Sequence, residues 1–469
     1  MIRLLEYFEE GVKSLEEFLS KKDHSLSSKF ERESKLISAR YKGFSITGRK
    51  HLSVKQSREN LVIVSPSGGG KTSTVIYPSC FNILSSMIIN DPSGEISKTK
   101  NYFLSRGFKV KTLDFGSKED SIYYNPLKRV TSNADVVKVA SMLVRSTSKK
   151  GDFDFWNNKS VELIAMFINF IIENEPPIHQ NLGNVFHLLE ILQGSPETID
   201  RLFAEKASEQ LFQKYKSLIG TSDNTRSSII ASAQASLSFI GNDPVLCDIT
   251  STDNFDFDML RQEKTVLFLR CPLGDVGYYS TILSIFFEQF FAHVFSKIPD
   301  EKEDDIFILI DELSSLYLPN LANIISNSRT FRTPILGVLQ SENQLYQNYG
   351  EFNAKTILNN ANTKVYFTGL TDESNHLEKT LGRYEYTDEK GGTRSRSLMT
   401  SDEIRTMPKD TILIIPSGMR PIKAKVTPHY KQRHLMKLLD MNAPEDYTEE
   451  TTIYSIQYKP FNAPTDEEE

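Results

Sequence analysis

Apolar residues recur along the chain in short runs that are separated by longer amphipathic stretches. Leu61–Val64, residues 87–90 and Ile306–Ile310 are runs of this kind and predict buried β-strands. Helical patterns lie between most of the runs, and this alternation is typical of a parallel sheet with crossover helices, so the expected fold class is α/β. Further strands are expected at residues 109–113, 266–270, 335–339, 364–368, 412–415 and 423–426.

The pattern changes between residues 146 and 254. Strand signals vanish there, and helical periods follow one another over the whole stretch. They lie at residues 155–173, 182–192, 196–207, 209–219 and 225–240. This predicts an all-helical domain, inserted between two parts of an α/β domain at residues 45–145 and 255–442.

Both ends of the chain differ from this pattern. Residues 1–44 predict an amphipathic helical segment, because apolar residues recur there at spacings of three and four. The stripe consists of Leu4, Leu5, Phe8, Val12, Leu15 and Phe18. It can pack on its own domain or dock on another protein or a membrane surface, although its mixed charge weakens the membrane option. Residues 443–469 are acidic and contain three prolines, which predicts a flexible tail.

The charge is unevenly distributed. The chain of 469 residues has a formal net charge of −6, which at first argues against a nucleic-acid partner. Residues 443–469 contain eight acidic residues and one lysine, a charge of −7, so residues 1–442 carry +1. A nearly neutral body permits a locally basic channel for DNA.

Cysteine usage and hydropathy exclude several classes of protein. The three cysteines, Cys80, Cys247 and Cys271, have no paired spacing, which argues against a disulfide framework or a zinc site and favours a reducing cytoplasm. The most apolar run, residues 163–172, is shorter than the ~20 residues that a membrane-spanning helix requires. The acidic amino terminus is not typical of a signal peptide.

The stretch from Leu61 to Thr72 combines a strand, a glycine-rich turn and a helix start. Glycines can turn several backbone N–H groups toward one anion, and the helix N-terminus adds its dipole. Lys71 would then reach the β- and γ-phosphates of a nucleotide, and the Thr72 hydroxyl would bind Mg²⁺. The alternative is a glycine-rich surface turn that precedes a lysine by chance. The candidate binding residues are Ser65, Ser67, Gly68, Gly69, Gly70, Lys71 and Thr72, with Ser65 in place of the first glycine of the G-x-x-x-x-G-K-[ST] pattern.

Two carboxylates follow the apolar run Ile306–Ile310. This spacing is that of a Walker B site, in which Asp311 would orient Mg²⁺ and Glu312 would polarise the water that attacks the γ-phosphate. Many buried strands also end in solvated acids, so the pair is weak evidence alone. Together with the phosphate loop, the pair becomes strong evidence for a nucleotide site.

Polar residues after the carboxylate pair extend the candidate site. Arg329 and Arg332 are surface cations by default, but in a ring ATPase an arginine at this place can contact the γ-phosphate of a neighbouring subunit. Gln340 follows the strand at 335–339 and can either sense the γ-phosphate or cap the end of the strand.

Taken together, these and several further motifs resemble the TraG/TraD-type coupling proteins of type IV secretion. The resemblance covers residues 45 to 430. Besides the phosphate loop and the sequences Asp311-Glu-Leu and Leu339-Gln-Ser, it is carried by Ile89-Asn-Asp-Pro-Ser-Gly-Glu95, Tyr124-Asn-Pro-Leu127, Phe153-Asp-Phe-Trp156, Gln344-Leu-Tyr-Gln-Asn-Tyr-Gly350, Ile357-Leu-Asn-Asn360, Ser395-Arg-Ser-Leu-Met-Thr400, Asp402-Glu-Ile-Arg405 and Pro416-Ser-Gly-Met-Arg-Pro421.

The resemblance implies a RecA-like P-loop NTPase domain with the all-α domain at one mouth of a hexameric ring. ATP and Mg²⁺ are the implied cofactors, with Lys71 and Thr72 as ligands, Asp311 and Glu312 as the Walker B pair, Arg329 in preference to Arg332 as the finger, and Gln340 as the sensor. Asp91 and Glu95 match a D-P-x-G-E signature and are expected either to support the Mg²⁺ site or to form a turn.

The resemblance also implies a function and a location. ATP would drive conjugative DNA, single-stranded or relaxase-bound, or protein substrates from the relaxosome toward a type IV secretion channel. Coupling proteins usually begin with transmembrane helices, and this chain starts with a soluble amphipathic segment instead. Residues 1–44 are therefore expected to dock on a separate membrane partner, or membrane attachment is dispensable here. The expected location is cytoplasmic and peripheral at the inner face of the membrane. A homo-hexamer is expected during turnover and a monomer is compatible with the isolated chain.

Two other functions fit the same residues. One is a DNA packaging or segregation motor of the same superfamily, which shares the ATPase site and differs in partner. The other is a nucleotide-gated adaptor that docks substrates and hydrolyses little ATP. The ordered set of Asp311, Glu312, Arg329 and Gln340 disfavours the adaptor, which could lose its water-activating carboxylate without harm.

Overall fold

The structure is a computed structural model that describes residues 27–147 and 155–444. Two compact units divide these residues. The described part of unit 1 comprises residues 27–83 and 336–436, and that of unit 2 comprises residues 84–147, 155–335 and 437–444. Each unit therefore contains two or more separate stretches of the chain.

The described residues form eleven strands and the helices that connect them. The strands are β1 Leu61–Val64, β2 Ser86–Asn90, β3 Lys109–Asp114, β4 Thr265–Arg270, β5 Ile306–Ile310, β6 Ile335–Leu339, β7 Thr363–Tyr366, β8 Arg383–Thr387, β9 Thr393–Ser397, β10 Thr411–Pro416 and β11 Ile422–Lys425. The α-helices are Val54–Ser57, Tyr77–Asn82, Lys100–Ser105, Asn133–Thr147, Phe155–Asn174, Leu182–Gly194, Pro196–Lys206, Glu209–Ile219, Asp223–Gly241, Pro244–Ile249, Met259–Gln262, Val276–Val294, Leu321–Asn327, Asn343–Asn360, Ser374–Leu381, Ser401–Arg405 and Arg433–Leu439. Gly350, with a φ of 73°, interrupts Asn343–Asn360 with a kink.

Strand β1 is central among the strands of unit 1. The order is β11-β10-β7-β1-β6, with β6 and β7 parallel to β1, and β10 antiparallel to both β7 and β11. All four residues of β1 are buried. A parallel strand that is covered on both faces requires a continuous apolar sequence rather than an alternating one, which explains the run Leu-Val-Ile-Val.

Unit 2 contains strands in the order β5-β2-β4-β3, and every pair among them is parallel. Asn90 at the end of β2 is in register with Ile310 of β5 and Leu269 of β4. The carboxyl ends of these strands consequently reach one edge, where ligands of parallel α/β sheets bind.

A run of helices separates β3 from β4 in unit 2. No strand lies between Asp114 and Thr265 in the residues that the structure describes there. An aromatic stack forms the centre of this region, because the ring of Phe203 stacks on Phe170 at 4.5 Å and on Tyr215 at 4.3 Å. The first helix of the run begins at Asn133, before the expected boundary at residue 146, and the Asn169 amide of the next helix donates to the Asn133 side chain at 2.9 Å. The domain boundaries stay a prediction.

The predicted amphipathic helix does not extend through residues 27–44. This stretch contains a single 3₁₀ turn, Glu33–Lys35, and one isolated bridge, from Ser38 to His51, and it adds Leu36, Ile37 and Phe44 to the core of unit 1. Beyond the local bonds of its turns, its backbone N–H groups donate to residues farther along the chain, Ser28 to the Arg383 carbonyl and Glu31 to the Pro421 carbonyl. The stripe from Leu4 to Phe18 and the acidic tail beyond residue 444 lie outside the described residues. In the part of the chain that the structure covers, no helix is long and apolar enough to cross a membrane.

Candidate nucleotide site

The glycine-rich loop leaves β1 at the edge where ligands bind to parallel sheets. The Ser65 N–H continues the ladder by donating to the Leu339 carbonyl of β6 at 2.9 Å. Gly68 and Gly70 then adopt φ angles of 72° and 85°, which side chains disfavour. Ser67 and Gly68 are exposed, so the crest of the loop is open to solvent. The geometry is that of a loop whose backbone can approach an anion.

Gly69 is required by close packing within the loop. A Cβ on Gly69 would lie 2.3 Å from the Ser65 hydroxyl oxygen and 3.0 Å from the Pro66 carbonyl oxygen, and the Gly69 N–H donates to that carbonyl at 3.0 Å. Ser65 is fully buried, and its φ is not among the positive values. A serine therefore fits the first position of the motif without strain, while its hydroxyl occupies the space beside Gly69.

The helix behind the loop begins as a π-helix, Thr72–Ile76, and continues as the α-helix Tyr77–Asn82. Single π-turns inside helices occur frequently at functional sites. Pro78 lies just after the junction of the two parts, and because proline has no N–H it contributes no backbone donor there. Lys71 and Thr72 are half-buried at the start of this helix, as the phosphate-loop prediction requires. The structure thus places Lys71 and Thr72 directly after the loop, at the start of the helix.

Gln340 follows β6, next to the phosphate loop in unit 1. Its backbone N–H donates to the Gln344 side chain at 2.9 Å. The next two residues are held by a buried carboxylate, because Glu373 accepts the Ser341 hydroxyl and the Glu342 N–H, both at 2.8 Å. Burial and these carboxylates raise the pKa of Tyr366, whose hydroxyl donates to Glu342 at 2.6 Å. The loop after β6 is therefore rigidly supported, and no motif pointed to Glu342 or Glu373.

The carboxylate pair Asp311 and Glu312 follows β5 in unit 2. All five residues of β5 are buried, whereas both carboxylates are half-buried. The Glu312 carbonyl accepts the backbone N–H and the hydroxyl of Ser315, at 3.2 and 2.7 Å, in a 3₁₀ turn that ends the strand. The structure thus presents the pair at the carboxyl edge of the unit 2 strands.

Asp91 forms a turn at the end of β2. Its carboxylate accepts the Ser97 N–H at 2.8 Å, the Ser97 hydroxyl at 2.7 Å and the Ser93 hydroxyl at 3.2 Å, and the residue is fully buried. Gly94 in this turn has a φ of 67°, and Glu95 is exposed. Of the two roles expected for Asp91, turn formation is the one that these hydrogen bonds support.

Arg329 and Arg332 have different environments. Arg332 has a φ of 51°, and its guanidinium donates to the Asp305 carboxylate at 2.7 Å, to the Asp300 carbonyl at 2.9 Å and to the Glu303 carbonyl. Arg332 is therefore a structural residue that holds the loop before β5. Arg329 is exposed just beyond the helix Leu321–Asn327, which is the position that a residue acting on another molecule requires.

The predicted residues thus form two local groups. Ser65 to Thr72 and Gln340 lie together in unit 1, while Asp311, Glu312 and Arg329 belong to unit 2. In the described residues no group of His, Cys, Asp and Glu side chains forms a metal site by itself.

The fold and the sequence agree with one family of proteins. The family model described as "Type IV secretory system Conjugative DNA transfer" matches residues 18–460. The chain belongs to this family. It is 21% identical over 410 residues to protein VirD4 of Rhizobium radiobacter, and 21% identical over 394 residues to the conjugal transfer protein TraG of the same organism.

Family membership confirms the resemblance that the motifs predicted. The alignments cover 81% of this chain and 58% of VirD4, and 77% of this chain and 59% of TraG, so the chain spans about three fifths of the length of these relatives. The solved structure of the plasmid coupling protein TrwB in complex with ADP and Mg²⁺ has a TM-score of 0.66 to this chain at 17% identity, and the match covers 86% of this chain and 94% of TrwB. The shared fold confirms the expected RecA-like α/β fold class.

Proposed function

We propose that this chain is an ATP-driven coupling protein that moves conjugative DNA, single-stranded or bound to a relaxase, or protein substrates toward a type IV secretion channel. The single observation that carries the proposal is the phosphate loop, whose positive-φ glycines and close-packed Gly69 leave an open backbone crest in a chain of the conjugative DNA transfer family. TrwB, which has the same fold, has been solved with ADP and Mg²⁺.

The residues of the loop fit a nucleotide. Bare backbone at Gly68, Gly69 and Gly70 would hold the phosphates, Lys71 would neutralise them, and the Thr72 hydroxyl would bind the metal. When bound, Mg²⁺ withdraws charge from the phosphoryl oxygens and aligns them for transfer. We assign Ser65 and Ser67 to the walls of this cradle, since Ser65 is buried beneath it and Ser67 is exposed on it.

The carboxylate pair would complete the chemistry. Asp311 is assigned to hold the metal, and Glu312 to accept a proton from the attacking water. Gln340, on the supported loop after β6, is assigned to sense the γ-phosphate. Arg329 is assigned to the nucleotide of a neighbouring subunit, because it is exposed whereas Arg332 is engaged with its own loop.

Assembly and location follow from this assignment. An arginine that acts on a neighbour requires an oligomer during turnover, which we propose to be a homo-hexamer that is monomeric when idle. We propose relaxosome and channel components as partners, with residues 1–44 contacting a separate membrane protein at the inner face of the membrane. Co-fractionation with membranes that survives deletion of residues 1–44 would contradict that contact.

ATP turnover of the purified chain, with and without single- and double-stranded DNA, tests the function. We expect turnover that DNA stimulates, loss of turnover by a factor of about 100 or more in Glu312→Gln, and loss of nucleotide binding in Lys71→Ala. Lys423→Gln is the control, because it removes an exposed cation far along the chain and should change neither ATP turnover nor nucleotide binding. Arg332→Lys cannot serve as a control, because Arg332 is structural. Mixing Arg329→Ala with Lys71→Ala subunits should restore some hydrolysis.

The outcomes separate the alternatives. Turnover without DNA stimulation favours protein substrates, and binding without turnover favours the nucleotide-gated adaptor. A DNA packaging or segregation motor would show the same stimulation, so it is distinguished by conjugation frequency in cells that carry Glu312→Gln. Mixed assemblies that stay inactive would contradict the role of Arg329.

A further inference from the structure

A short segment after β11 packs against the helix that follows the phosphate loop. The His429 ring stacks on Tyr77 with a centroid distance of 4.3 Å, and its Nδ1–H donates to the Ser73 carbonyl at 3.1 Å. Ser73 directly follows Thr72, the residue assigned to the metal, and lies two residues after Lys71, a rise of about 3 Å along a helix. The segment therefore lies beside the start of the helix to which the phosphates are assigned.

A second set of contacts holds the same segment. The Thr427 N–H donates to the Thr47 carbonyl at 2.8 Å, and the buried Gln432 amide donates to the Gly48 carbonyl at 3.0 Å and to the Thr427 carbonyl at 2.9 Å. Gly48 has a φ of 81°, and a Cβ there would lie 2.0 Å from the Thr427 carbonyl oxygen, so this close approach requires glycine. Residues 427–432 are thus fixed in position next to the phosphate-loop helix.

The strand order of unit 1 gives a bound nucleotide a direction. β6 lies on one side of β1, whereas β7, β10 and β11 lie on the other. Gln340, which is assigned to the γ-phosphate, follows β6. With the γ-phosphate on the β6 side of the loop, the sugar and the base extend toward the opposite side. The segment that follows β11 meets the phosphate-loop helix on that side.

Tyr430 presents an exposed aromatic ring in this segment. It is the middle residue of the 3₁₀ turn His429–Lys431 and is 57% exposed. Its ring makes an edge contact with His429, with a centroid distance of 5.7 Å and an interplanar angle of 78°. Part of the tyrosine ring is therefore open to solvent while its backbone is held in place. A nucleobase can stack on such a ring, because every base has a π-face.

We propose that Tyr430 is the stacking platform for the base of the bound nucleotide. The inference rests on the proposed function and adds a contact with the base to the phosphate contacts assigned to the loop. Stacking does not read the hydrogen-bonding edge of a base, so this contact accepts adenine and guanine alike. Because the segment is fixed before the nucleotide arrives, little ordering of the chain opposes the contact.

The experiment measures the affinity of Tyr430→Ala for ATP by calorimetry in the presence of Mg²⁺. We expect the Kd for ATP to rise about tenfold, within the range for removal of an aromatic ring from a stacked base, and the Kd for GTP to rise by the same factor. In turnover the KM for ATP should rise with it and kcat should stay unchanged, since the stacking contact is the same in the ground state and in the transition state. Tyr430→Phe keeps the ring and should bind ATP within about twofold of the unchanged chain.

Tripolyphosphate separates the base from the phosphates. It has the phosphates of ATP and no base, so its Kd, measured in the same way, should be equal in Tyr430→Ala and in the unchanged chain. Tyr386→Ala is the matched control, because it removes another exposed tyrosine of unit 1, on the β8–β9 hairpin, and should leave the Kd for ATP unchanged.

Three results would overturn the inference. They are a Tyr430→Ala chain that binds ATP like the unchanged chain, a Tyr430→Phe chain that loses as much affinity as Tyr430→Ala, and a loss of affinity that extends equally to tripolyphosphate. An unsubstituted chain that binds no nucleotide overturns the proposed function and this inference with it, so the two failures are distinguishable.

Discussion

The turns after β1 and after β2 are built from similar parts and serve different ends. Both follow a buried strand, both contain glycine at positive φ, and both lead into a helical turn. In the turn after β1 the crest at Ser67 and Gly68 is exposed. In the turn after β2 the Asp91 carboxylate accepts three hydrogen bonds from its own turn. One turn is open toward a ligand, and the other is closed on itself.

The difference shows that glycine and strand position alone do not identify a binding loop. The hydrogen bonds of the turn decide whether it can bind an anion, because a turn whose donors are already hydrogen-bonded within it has few donors left for an anion. In the turn after β2, the buried Asp91 carboxylate accepts hydrogen bonds from Ser93, two residues later, and from Ser97, six residues later. These bonds close the turn on itself. The turn after β1 contains no acid. We therefore expect substitutions in the two turns to affect different properties.

The largest effect is expected for Gly69→Ala. The new Cβ would lie 3.0 Å from the Pro66 carbonyl oxygen and closer still to the Ser65 hydroxyl, so the crest of the loop must shift. We expect nucleotide affinity to fall by a factor of about 10 or more, since even one lost phosphate hydrogen bond to a charged group is worth about 1.5–3 kcal/mol. Titration with a fluorescent ADP analogue measures this.

A second substitution checks the mechanism of that loss. Ser65→Gly removes the hydroxyl that the new Cβ meets, so Ser65→Gly combined with Gly69→Ala should recover part of the affinity. If Gly69→Ala alone binds nucleotide normally, the loop is not the phosphate cradle.

Asp91→Ala should come next and should act on stability. The substitution leaves the Ser97 N–H and two hydroxyls without their acceptor, and a lost charged acceptor in a buried turn costs about 2–3 kcal/mol. Urea unfolding of the chain measures the free energy. Nucleotide affinity should change by less than about twofold, within the scatter of substitutions away from a ligand. A stable Asp91→Ala chain that has lost Mg²⁺-dependent nucleotide binding would instead assign Asp91 to the metal.

The smallest effect is expected for Ser97→Ala. Only the 2.7 Å hydroxyl bond to Asp91 is lost, and the backbone N–H bond at 2.8 Å remains. The free energy of unfolding should fall by about 1 kcal/mol. Ser73→Ala is the counterpart after β1, where the hydroxyl donates to the Gly70 carbonyl at 3.0 Å, and it should cost no more. A cost for Ser73→Ala well above that of Ser97→Ala would mean that the open turn also depends on internal side-chain bonds.

The sequence predicted the strands well because most of them are covered on both faces. Continuous buried runs form β1, β2, β5 and β6. Such runs can be recognised in the sequence without knowledge of the tertiary structure. The hairpin of β8 and β9 was missed for the opposite reason. Nine of its ten strand residues are half-buried or exposed, so it carries no apolar signal. Its stability depends on cross-strand pairs such as Tyr384 with Arg396, which only the fold reveals.

The candidate site could be predicted only as far as its motifs are local. The glycines of the loop, Lys71 and Thr72 are consecutive residues in the sequence. Asp311 and Glu312 are also adjacent in the sequence. The engagement of Arg332 with residues 300–305 and the support of the loop after β6 by Glu373 depend on residues distant in sequence. The same is true of His429, whose contact with Ser73 joins residues that are 356 positions apart in the sequence.

The π-helix behind the phosphate loop has a consequence for the residue assigned to the metal. Its hydrogen bond runs from the Tyr77 N–H to the Thr72 carbonyl, one residue longer than in an α-helix. An α-helical turn in its place would rotate Thr72 by about 100° around the helix axis and shift it by about 1.5 Å. The direction of the Thr72 hydroxyl is thus set by the winding of the helix that follows it. Substitutions as far along as Tyr77 can change metal affinity without touching the loop.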